Sequence, residues 1–187
     1  MQVEFNPVLV AGYRLLGYEN RLLAKEDFND DRKDAGEIGS GHSVTALYEV
    51  VPVGQPWLGQ GTVDPLKYQG QRVEPFHASN ELLTVKLRYK EPDGNVSRLT
   101  QLPVEASAPQ TFEEASRDFK FAVAVAGFGL KLRGSSLGDQ ISWENLRNIA
   151  AKSLGEDPGG PRAEFLTLIE KAKELTDSAS PQRAFEE

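Results

Sequence analysis

The chain has 187 residues, with 28 acidic against 21 basic side chains, a net charge of -7, 39% hydrophobic residues and no cysteine. That length and balance fit one ordinary folded domain, or a domain with a small appendage, and exclude a fibrous repeat or a chain without a core. The missing cysteines exclude disulfides, thiolate zinc sites and a cysteine nucleophile, and the lack of a basic stripe argues against nucleic acid as a partner.

The longest nearly apolar run, Phe121 to Leu130, is half of what a bilayer crossing needs, so no membrane span is expected in this stretch. Met1 leads directly into Gln-Val-Glu-Phe, without the basic and apolar regions of a signal peptide. A start inside a predicted strand reads as a piece of a longer polypeptide.

Up to about residue 105 the apolar positions alternate, which is the period of a strand. Strands are predicted at Val3 to Phe5 with Val8 to Val10, at Tyr13 to Gly17, and along the run from Val44 to Val51. Leu83, Val85, Leu87 and Tyr89 alternate again, and Glu91-Pro92-Asp93-Gly94-Asn95 separates them from a strand at Val96 to Leu102. The Asp-Gly pair suits the positive φ of a hairpin turn, so residues 81 to 102 are predicted to form one hairpin. Long excursions join the strands at residues 27 to 42 and 54 to 80. Loops of that length in a compact domain tend to be functional or covered by a partner.

After Pro109 the period turns helical. Thr111 with Glu114 has the spacing of a capping box, and the run from Phe119 to Leu130 is apolar on most faces, which predicts a central helix ending near Arg133-Gly134. Ser142 caps a second helix that ends before Gly155, and Pro161 opens a third. Phe119, Val123, Phe128, Trp143, Leu146, Phe165 and Ile169 are the predicted helical core. The fold class is thus α+β: an antiparallel, β-sandwich-like N-terminal part, residues 1 to 105, followed by three helices within residues 106 to 187. The second part either packs on the first or forms a small bundle.

The stretch from Glu26 to Glu37 holds six acids against two bases. Asp27, Asn29 and Asp31 have the alternate-residue spacing of an EF-hand loop, but Arg32 stands where that loop needs glycine and Ile38 where it needs glutamate. Asp27, Asn29, Asp31 and Asp34 are the ligands a calcium ion would take here. The competing reading is a solvated loop whose carboxylates cap local turns and pair with Arg32 and Lys33. Calcium is the one cofactor the residues raise, and no other is expected.

Gly36-Glu-Ile-Gly-Ser-Gly-His42 is glycine-rich like a nucleotide loop but leads into a strand, so no helix N-terminus awaits a phosphate. His42 and His77, paired with Asp34 or Glu37, would be the starting point for a hydrolase with an unrecognised site, yet no nucleophile elbow or zinc-protease motif accompanies them. The chain is therefore expected not to be an enzyme. Trp57, Leu58, Tyr68 and Phe76 fall in the excursion rich in glycine, proline and glutamine. They would serve either to anchor a partner protein or to plug the open end of the sheet.

The run Asp27-Phe-Asn-Asp-Asp-Arg-Lys-Asp-Ala-Gly-Glu-Ile-Gly-Ser-Gly-His-Ser-Val-Thr-Ala-Leu-Tyr-Glu-Val50 resembles the C-terminal region of a bacterial family of von Willebrand factor type A domain proteins. Val3-Glu-Phe-Asn-Pro7, Tyr13 to Arg21 and the helical run from Phe119 to Gly134 extend the likeness over nearly the whole chain. The resemblance implies an accessory module that follows a type A domain in the same parent chain, in proteins of envelope lipoprotein type. It also implies a location in the cell envelope or periplasm, and it supplies no catalytic residues. The type A metal motif, Asp-x-Ser-x-Ser, appears nowhere here, so that metal site is not carried over. Any further protein partner is left unidentified.

Overall fold

The computed structural model describes residues 1–17, 28, 39, 41–55, 79–91, 94, 96–107 and 111–179. The chain divides into two compact units, Met1–Ala108 and Pro109–Glu187. Antiparallel strands make up the first and helices the second, so the fold is α+β.

Among the described residues five strands lie in the first unit: β1 (Gln2–Phe5), β2 (Val10–Leu16), β3 (Leu47–Pro52), β4 (Glu81–Tyr89) and β5 (Arg98–Glu105). They form two small antiparallel sheets, one in the order β1-β4-β5 and one pairing β2 with β3. The predicted hairpin is the β4–β5 pair, with Val85 opposite Leu102 and Tyr89 opposite Arg98. Gly94 does not adopt the positive φ expected of it. Its amide instead donates to the Glu91 carbonyl at 2.9 Å, and a Cβ on Gly94 would stand 3.3 Å from that oxygen. Close approach, rather than a left-handed backbone, is what suits glycine to this position.

Opposed residues of an antiparallel pair share a face, so register sorts the side chains of the larger sheet. One face carries Val3, Phe5, Leu83, Val85, Leu87, Tyr89, Leu102 and Val104, with Thr100 and Arg98 at its far end; the other is mainly polar, with Glu4, Thr84, Lys86, Arg88, Gln101 and Pro103 beside Leu99. Lys86 and Glu4 pair across the polar face at 2.6 Å. At the β1 side of the apolar face Phe5 stacks on Tyr13 of β2, with ring centroids 4.2 Å apart, and meets Tyr48 of β3 edge-on at 5.5 Å. Phe5, Val10 and Val51 are the buried apolar residues among those described in this unit.

Helices of the second unit are α1 (Arg117–Leu132), the single turn α2 (Ser136–Asp139), α3 (Trp143–Lys152) and α4 (Pro161–Ala179). Thr111 and Glu114 do interact, since the Glu114 carboxylate accepts from the Thr111 amide and hydroxyl. They close a 3-10 turn at Phe112–Glu114, however, and not the helix, because Ala115 and Ser116 are extended. Ser116 is the true N-cap of α1, its hydroxyl accepting from the Phe119 amide at 3.1 Å. The predicted stop is met at Gly134, with φ of +63°, and Ser135 donates back to the Leu130 carbonyl. Ser142 caps α3 and Pro161 opens α4, as their residue types require.

Ala124, Leu146, Ala150 and Ile169 form the helical core, with Phe121, Phe128, Trp143 and Phe165 partly buried against it. Leu146 and Ile169 are 1% exposed, whereas Phe119 is 46% exposed and leaves the predicted core. The reason is axial: Phe119 is in the first turn of α1, ahead of the buried Ala124, Gly127 and Leu130, although at about 100° per residue it points within about 20° of Leu130. Val125 and Leu132 are exposed as well, so the apolar run of α1 is not enclosed all round as expected of a central helix.

Candidate functional site

The acidic stretch with Asp27, Asn29, Asp31 and Asp34 lies outside the described residues, as do Trp57, Leu58, Tyr68, Phe76 and His77. Of the sequence candidates only His42 is described, exposed and in a turn where Gly41 has φ of +80°. Among the described residues no group of three or more histidine or carboxylate side chains is disposed to hold a metal ion. No helix among them is long and apolar enough to cross a membrane.

What the described residues present is surface. On the apolar face of the larger sheet Phe5 of β1 is 8% exposed, whereas Leu87 of β4 and Val104 and Leu102 of β5 are 43%, 38% and 62% exposed. All eight residues of β5 are exposed. Pro103, which has no amide to donate, sits in this edge strand, where proline is tolerated and hinders the addition of another strand. Among the described residues the outer edge of β5 has no paired strand and is blunted by proline, while the apolar side chains beside it are exposed, so a partner would meet side chains and not the backbone ladder. Alternation in the sequence identified the apolar side of β4. It carried no sign that Leu87, Leu102 and Val104 lie at the uncovered end, because that follows from the strand order.

In the helical unit a shallow groove between α3 and α4 is lined by Trp143, Arg147, Ile169, Glu170 and Lys173. Arg147 and Glu170 bridge it at 2.7 Å, and both side chains are about half in solvent. An exposed pair of this kind is a weak clasp between helices and does not enclose a ligand. Tyr48, where the two sheets meet, has its hydroxyl pKa raised by burial and then by the nearby Tyr13. Glu114 has its carboxyl pKa lowered, first by the Thr111 amide and then by the Thr111 hydroxyl.

The chain belongs to the family described as "Uncharacterized protein YfbK, C-terminal", whose model it matches over residues 1–175. It is similar to a protein of Escherichia coli (strain K12) described as "Uncharacterized protein YfbK", with 41% identity over 177 residues. The match takes in 94% of this chain and 29% of that relative, so the chain spans less than a third of the relative's length. No solved structure matches it.

Proposed function

We propose that this chain is a non-enzymatic protein-interaction module that works beside a von Willebrand factor type A domain in a longer polypeptide of the bacterial cell envelope. The observation that carries the reading is the open end of the β4–β5 face, where Leu87, Leu102 and Val104 are uncovered beside a proline-blunted edge. Support for the longer polypeptide comes from the family's C-terminal description and from the relative's extra length. The type A neighbour and the envelope location rest on the resemblance of the acidic stretch and its flanking motifs. The test is calorimetric titration of the 187-residue chain with the type A domain of the same gene product. Saturable binding that Leu102→Glu weakens at least tenfold is the expected result. A gene product with no type A domain, or binding unchanged by Leu102→Glu, overturns the reading.

A further inference from the structure

Helix α1 contains no charged residue between Lys120 and Lys131. Both lysines that bound this run lie on the packed side: at about 100° per residue they project with Ala124 and Gly127. Lys131 donates to two carbonyls of the adjoining turn. The opposite side carries Ala122, Val125, Ala126, Gly129 and Leu132, with Phe119 at its flank and Asp118, paired with Arg162 at 2.6 Å, closing it one turn before Ala122. Phe119, Val125 and Leu132 are 46%, 44% and 61% exposed. Surface helices keep a polar outer face, and a helix that is apolar all round is a buried one. The small residues Ala122, Ala126 and Gly129 flatten the middle of this face, so another element could lie close against it.

The size of the face restricts what covers it. From Ala122 to Leu132 the face spans about 16 Å, and a stripe about 10 Å wide offers a footprint of about 160 Å². A stable complex between separate molecules buries about 800 Å² on each partner. So small a face is sufficient when the occupant is tethered, because a covalent connection raises its effective concentration to the millimolar range. More than two thirds of the relative's length lies outside its match to this chain, which supplies such an occupant.

We infer that the outer face of α1 is the docking site for an apolar segment of the same longer polypeptide lying outside these 187 residues. This rests on the reading of the chain as a module of a larger protein. None of these 187 residues is cysteine, so an introduced thiol is unique within this stretch. Val125→Cys and Leu132→Cys, with Glu144→Cys as a comparator on α3, are placed in the 187-residue chain and in the full-length gene product. Maleimide labelling of each site is followed by peptide mass spectrometry.

The expected result is labelling at Val125→Cys and Leu132→Cys at least tenfold slower in the full-length protein, with Glu144→Cys unchanged. Equal rates in the two proteins overturn the inference even where a type A domain stands upstream, which separates its failure from that of the functional reading. Slow labelling already in the 187-residue chain also overturns it. If that slowing depends on concentration, the occupant is a second copy; if not, the cover lies within these residues.

Discussion

The ammonium of Lys131 stands 5.0 Å from the centroid of the Trp143 ring. From there it donates to the Gly138 carbonyl at 3.1 Å and the Ile141 carbonyl at 2.6 Å. One side chain from the end of α1 thereby closes the turn α2 and orients the start of α3. A cation over an indole face is attracted by the ring quadrupole, and the Gly138 carbonyl takes the ammonium in addition to the Ile141 amide, from which it accepts at 3.1 Å.

Lys131→Met keeps the aliphatic stem and removes every donor. It is expected to lower stability by about 2 kcal/mol, since the Ile141 carbonyl loses a charged donor and the Gly138 carbonyl is left with the Ile141 amide. A urea midpoint that falls while the slope of the transition stays constant is the measurement. An unchanged midpoint would mean that water serves both carbonyls equally well.

Gly138 is fixed by space. A Cβ there would stand 2.6 Å from the carbonyl carbon of Leu130 and from the amide of Lys131, both backbone atoms that cannot swing aside. Gly138→Ala should therefore cost about 3 kcal/mol through displacement of α2. Gly134→Ala, at a positive φ with open space around it, should cost only about 1 kcal/mol. Thermal melts of the two variants should rank in that order.

These two glycines show what was legible in the sequence and what was not. The strand period, the caps Ser142 and Pro161, and the stop at Gly134 depend on residues close in the chain, so they could be read directly. Gly138 depends on which backbone passes beside it, and the exposure of Phe119 on which turns of α1 its neighbours cover, neither of which local pattern encodes. Glu114 was legible as an acceptor for Thr111 but not as the end of a separate turn, because Ser116 competes for the role of helix cap. The candidate site was legible only in part. Alternation along β4 separated an apolar from a polar side, but the placing of Leu102 beyond the cover around Phe5 needs the order β1-β4-β5.

Tyr48 makes alkaline stability a probe of the junction between the two sheets. Its pKa is raised above 10.0 by burial and by Tyr13, so in the folded chain it holds its proton at a pH where the unfolded chain has begun to lose it. Its contribution is complete below pH 10 and is lost as pH rises through the higher folded value. Tyr48→Phe should flatten the decline above pH 10 and leave neutral stability nearly unchanged. Denaturant midpoints measured between neutral and strongly alkaline pH give the comparison.

The oxygen-bearing side chains of Asp27, Asn29, Asp31 and Asp34 can be tested without any structural premise. Read as a solvated acidic stretch, they predict a melting temperature that is the same in calcium and in chelator. A rise with added calcium that Asp31→Asn abolishes would establish the calcium-stabilised reading instead, because a ligand bound only by the folded state raises its stability.

Phe5 of β1 lies opposite Leu83 of β4, 78 positions later in the chain. Lys131 and Trp143, by contrast, meet across 12. Closing the longer loop costs only about 2 kcal/mol more, so equilibrium stability hardly registers the difference. Timing registers it strongly. At about 5 to 20 residues per second a ribosome needs roughly 4 to 16 s to deliver Leu83 after Phe5, while distant pairings also form slowly once both strands exist. Throughout that interval Val3 and Phe5 have no sheet to join. The strand synthesised first is thus among the last to be placed, and the larger sheet is completed from its C-terminal hairpin backwards.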